Sequence, residues 1–152
     1  MTNPKEIRDL AYQRLKEAEI LYKNGMCDGA FYLAGYSVEL ILKAKICDRL
    51  GIPNLFDETN SDANSIKGIG DIRKTLKTHN LFTLLIFSGL KIKFDGDKAT
   101  NKELAKANSL LFNAWDENAR YKPCGHILDK DVEKLINLLS GENGILTWIE
   151  QN

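Results

Sequence analysis

Apolar residues recur at helical spacing along most of the chain. In the first segment Ile7, Leu10, Ala11, Leu15, Ala18, Leu21 and Tyr22 gather on one side of a helical period. Asn3 followed by Pro4 supplies a cap and a first-turn proline, and Gly25 a stop. A helix over about residues 4–24 is expected. A second helix is expected from Asp28, as its cap, to Leu50, ended by Gly51 and Pro53. Its pattern differs from the first. Phe31, Gly35, Val38, Leu42 and Ile46 form one face, and Ala30, Leu33, Ala34, Ser37, Ile41 and Ala44 an adjacent one. Tyr32, Tyr36, Glu39 and Lys43 line a third. A helix apolar on several sides belongs at the centre of a bundle, and its small residues let neighbours come close.

The pattern then loosens. Residues 52–70 are polar and read as a long loop. Residues 71–90 read as one or two short helices, with Asp71 as a cap, a break near Thr78 or Asn80, and Gly89 as the end. Residues 91–99 read as another loop. Thr100 and Glu103 form a T-x-x-E capping box. The helix it starts carries Leu104, Ala107, Leu111, Ala114 and Trp115 and ends before Pro123. A last helix begins near Asp129. Leu135, Leu138, Leu139, Ile145, Trp148 and Ile149 keep register across Gly141 and Gly144. Each of those glycines costs about 1 kcal/mol inside a helix, so continuity and a break both remain open. No strand-like alternation runs for more than a few residues. The expectation is a single all-α domain over residues 1–152, a four- to five-helix, mostly antiparallel bundle.

Composition narrows the function. The 152 residues carry 21 basic and 21 acidic side chains, without the basic excess expected of a general nucleic-acid binder. No DNA-specific motif is present. The apolar run at 81–90 is about half of what crosses a bilayer, and "MTNPKEIRDL" has no leader-like apolar core. A cytoplasmic protein without membrane association is expected. Cys27, Cys47 and Cys124 are scattered, which fits thiols in a reducing compartment. Neither cofactor nor metal is expected. The two histidines have no third ligand at zinc spacing, and "KGIGD" (67–71) follows no strand, so it fails as a dinucleotide loop.

Two segments have R-x5-H spacing, Arg73 to His79 and Arg120 to His126. Such a pair can cut RNA without metal, because histidine moves protons and arginine stabilises phosphate charge. Six positions of an unbroken helix turn roughly 240°, which splays Arg73 from His79. Pro123 and Gly125 break the path from Arg120 to His126, so Arg120 and His126 are the catalytic candidates if the chain is a ribonuclease. The alternative is ordinary: core or capping histidines, and arginines on a solvated face. Glu39 and Lys43, set i to i+4 in apolar surroundings, raise a separate question. They form either an exposed pair or the lining of a cleft in which Glu39 meets Arg120 or His79, since a buried carboxylate needs such partners.

Three segments in order, "AGYSVELILKA" (34–44), "THNLFTLL" (78–85) and "ENARYKP" (117–123), resemble the HEPN superfamily. The likeness covers most of the chain and is greatest for the branch encoded beside, or fused to, small nucleotidyltransferases. It implies a homodimer. It also implies either a metal-independent ribonuclease, acting in toxin–antitoxin or defence systems, or an accessory module that binds a nucleotide, RNA or a nucleotidyltransferase partner. Active members carry R-x4-6-H with a polar Asn, Asp or His after the arginine; here Lys74 and Tyr121 stand there. That departure favours the module, with Glu39, Lys43, His79, Arg120 and Tyr121 as ligand-binding candidates. A purely structural dimerisation domain is the third reading.

Overall fold

A computed structural model describes residues 3–59 and 66–152. All regular structure in them is helical, in eight α-helices, a π-helical turn and a 3-10 turn. The all-α expectation holds, with more and shorter helices than four or five. No helix among these residues is long and apolar enough to cross a membrane.

Helix α1 spans Pro4–Lys23, with the Asn3 side chain accepting the Glu6 N–H. Helix α2 spans Cys27–Leu50 and ends on Gly51 in the left-handed region, φ 65°. Asp28 does not cap it. Met26 holds the cap position without a side-chain bond, and Asp28 lies inside the first turn, where its carboxylate accepts the Gly125 N–H at 2.9 Å. α2 is the central element. It packs along α1 and meets α4, α7, α8 and the 3-10 turn. Its middle, from Ser37 to Ala44, is buried without interruption.

The expected loop at 52–70 is partly helical, because α3 spans Ile66–Leu76. Leu76 is buried, Ile69 packs on the core, and Arg73 donates to the carbonyls of Asn54 and Leu55. Asp71 therefore lies within a helix rather than at its start. Helix α4, Leu81–Phe87, is capped by the Asn80 side chain on Thr83 N–H. The segment from Lys77 to Asn80 separates it from α3, the break expected there.

The expected loop at 91–99 is also a helix, α5, Lys91–Thr100. Phe94 drives this. It is buried edge-on against Phe112 and Trp148, with centroids at 5.1 and 5.8 Å, while Lys–Asp pairs line the solvent side. The capping box moves by one residue: Thr100 closes α5, and Asn101 caps α6, Lys102–Ala107, by accepting Glu103 and Leu104 N–H. The helix expected to reach Pro123 instead becomes a π-helical turn, Asn108–Phe112, then a 3-10 turn, Glu117–Tyr121. The last helix is broken. α7 spans Asp129–Leu139 and α8 Ile145–Gln151. Gly141 has φ 85°, and a Cβ on Gly144 would stand 2.3 Å from the Leu139 carbonyl. The positive φ at Gly141 and the extended backbone at Gly144 end the helix, and the close approach admits only glycine at 144.

Candidate functional site

The site starts inside α2. Glu39 is 1% exposed. Its carboxylate accepts from Lys43 Nζ at 2.7 Å, one helical turn on, and faces His79 Nδ1 at 3.0 and 3.1 Å through both oxygens. The two charges in the apolar helix thus have their explanation. Glu39 is neutralised by a buried lysine from its own helix and anchored by a histidine from the α3–α4 segment. Lys43 Nζ also lies 5.6 Å from the Phe56 ring centroid. Burial pushes the Tyr36 hydroxyl pKa up, and the neighbouring Glu39 carboxylate pushes the same way.

His79 is different from its partners. Its side chain is 49% exposed. Because both Glu39 oxygens face Nδ1, that nitrogen carries the hydrogen and Nε2 is left free to meet a ligand. His79 lines a cavity of about 540 Å³. The cavity runs from Thr78 to Thr83 on one side and takes Phe112, Asn113, Trp115, Asp116 and Glu117 on the other.

That second wall hangs on one glycine. Trp115 Nε1 donates to the Tyr32 carbonyl at 3.1 Å, and its ring stacks on Tyr32. A Cβ on Gly35 would stand 2.1 Å from Trp115 Nε1. Only glycine lets the indole lie on α2. Tyr32 in turn stacks on Tyr36 and receives a long contact, 3.5 Å, from Arg120. The Arg120 guanidinium lies 4.8 Å from the Tyr121 ring centroid, and both side chains are exposed.

Of the ligand-binding candidates, His79 lines the cavity, Glu39 and Lys43 stand behind it, and Arg120 and Tyr121 lie on the 3-10 turn that begins at its wall. The catalytic candidates contact different residues of α2 and, among the described residues, make no contact with each other. Arg120 leans on Tyr32, while His126 lies against Phe31, the residue before it, and Asp28, one turn earlier on α2. His126 Nδ1 is 3.2 Å from Asp28 Oδ1 without hydrogen-bond geometry, and both ring nitrogens are buried. Arg73 serves the 54–55 carbonyls while His79 serves Glu39. No group of three or more His, Cys, Asp or Glu among the described residues is placed to hold a metal ion.

Sequence reasoning missed Trp115 and Glu117 as wall residues. Gly35 in an otherwise large-residue face was the available signal for Trp115, and Glu117 opens the "ENARYKP" segment. Comparison with family models, with curated proteins and with solved structures finds no match.

Proposed function

We propose that the chain is a HEPN-like accessory module that binds a nucleotide or an RNA end at the His79 cavity without cutting it. The observation that carries this reading is the division of labour among the arginines and histidines. His79 is anchored on Glu39, His126 lies beside Asp28, Arg73 is held by the 54–55 carbonyls, and Arg120 rests on Tyr32 with most of its donors unused. Metal-independent cleavage needs a histidine and an arginine converging on one phosphate. Binding asks less: a histidine nitrogen, aromatic walls and a nearby guanidinium suffice to hold a base and a phosphate. A nucleotidyltransferase partner and a role in a toxin–antitoxin or defence system belong to the same reading through the family resemblance. So does pairing into a homodimer.

The test is incubation with structured and single-stranded RNA in EDTA, beside a nucleotide-binding titration. The expected result is intact RNA, and binding that His79→Ala weakens about tenfold or more, the effect of losing one good polar contact. Cutting abolished by Arg120→Ala or His126→Ala would establish the ribonuclease instead. Neither cutting nor binding would leave the structural dimerisation domain.

A further inference from the structure

The cavity lining is mainly acidic, and Arg120 lies outside it on the turn that Glu117 begins. Among the described residues, His79 is the one lining residue that can carry positive charge, against Asp116 and Glu117. The Lys43 charge behind His79 is committed to Glu39 at 2.7 Å. Asp116 is committed too, accepting the Asn118 N–H at 2.7 Å. Glu117 makes no hydrogen bond or ion pair among the described residues, although it is partly buried. A phosphate entering this cavity would meet that carboxylate. A group carrying N–H donors would be held by it, in a charge-assisted bond.

Arg120 stands three residues after Glu117 on the same turn, Glu117–Tyr121. Side chains at i and i+3 of a 3-10 helix eclipse, and three residues advance about 6 Å. Arg120 thus shares a face of the turn with Glu117 but lies outside the cavity lining. Its contacts are the Tyr32 hydroxyl at 3.5 Å and the Tyr121 ring, which leave most of its donors unused.

We infer that the site takes a nucleoside monophosphate unit in one orientation: base in the His79 cavity, its exocyclic amino group donated to Glu117, and phosphate on Arg120. Phe112 and Trp115 are the aromatic residues of the opposite lining. The unit is either a free nucleotide or the 5′ end of an RNA; both present the same chemistry. Adenine and cytosine present the amino group where uracil presents O4, an acceptor that a carboxylate repels, so Glu117 makes the site selective against uracil. This inference rests on the nucleotide-binding reading above.

Calorimetric titration of the full chain with AMP, UMP, adenosine and a 5′-phosphorylated tetra-adenylate tests it. AMP should bind at least about tenfold tighter than UMP, the discrimination of one charge-assisted hydrogen bond. Glu117→Ala should erase that gap. Arg120→Ala should bring AMP down to the affinity of adenosine and leave adenosine unchanged, and Arg120→Lys should restore part of the loss. Both side chains reach solvent, so these variants keep the fold, which thermal melts would confirm. Tighter binding of the phosphorylated oligonucleotide than of AMP upholds the orientation with an RNA end as ligand; equal binding upholds it with a free nucleotide. UMP binding as well as AMP, or Arg120→Ala weakening adenosine as much as AMP, overturns the orientation while nucleotide binding stands. A folded protein that binds none of the four overturns the underlying reading as well.

Discussion

Glu39 is the residue on which the local electrostatics turn. This deeply buried carboxylate is contacted on two sides, by Lys43 and by His79. Removing one member of a buried pair leaves an uncompensated charge, so Glu39→Ala should lower stability by about 3 kcal/mol in urea unfolding. Glu39→Leu combined with Lys43→Leu should recover most of that loss, because both desolvation costs go together. If Glu39→Ala unfolds at the same urea concentration as the parent, the pair contributes nothing. The thiols offer a second measurement at this scale. Burial pushes the Cys47 thiol up to about 11, and burial raises Cys27 as well, with Asp129 beside it adding to the shift. Thiolate is the reactive form, so maleimide at pH 8 should label exposed Cys124 rapidly. Cys27 and Cys47 should follow only on unfolding. Mass spectrometry of the native protein showing fast triple labelling would contradict this burial.

The element that organises the site is α2, and the device is close approach. Gly35 lets the Trp115 indole lie on the helix and donate to the Tyr32 carbonyl. Gly35→Ala gains about 1 kcal/mol of helix propensity, but it forces a large, hydrogen-bonded ring to move. Overpacking of this kind costs about 1–3 kcal/mol. The expected outcome is a net loss of stability with a changed near-ultraviolet signal from Trp115, and weakened ligand binding, because the moved ring forms the cavity wall. A variant that melts higher than the parent with unchanged aromatic signals would show that the contact is loose. The short helices α4 and α5 follow the same logic in reverse. Few residues commit them to helix locally, and buried Leu84, Leu85 and Phe94 hold them in place.

At the scale of the molecule, apolar surface concentrates around α4 and the start of α5. Phe82, Ile86 and Phe87 are exposed, and Ile92 is 88% exposed. The proposed homodimer gives such a surface a place to be covered. Light scattering at micromolar concentration should report twice the 17.2 kDa mass of one chain. Ile86→Glu with Ile92→Glu should shift it toward the single-chain mass if this surface is the interface. A single-chain mass for the unaltered protein would remove pairing from the proposal.

The long amphipathic segments were legible before any coordinates. α1, with its Asn3 cap and its stripe from Ile7 to Ala18, and α2, with its many-sided apolar character and its Gly51 stop, carry their own periodicity and end signals. The need of Glu39 for partners was legible too, because a charge in that setting is costly alone. The shorter elements were not. Residues 91–100 carry a glycine and paired charges that suit a loop, and they become α5 because Phe94 finds Phe112 and Trp148, residues distant in the chain. The sequence left the break at Gly141 and Gly144 open, because the apolar pattern kept helical register across it while the glycines argued against continuity. The site divides in the same way. That Glu39 must be satisfied follows from its neighbours along the helix. That His79 satisfies it, while Arg73, Arg120 and His126 go elsewhere, depends on long-range packing, which local pattern does not encode.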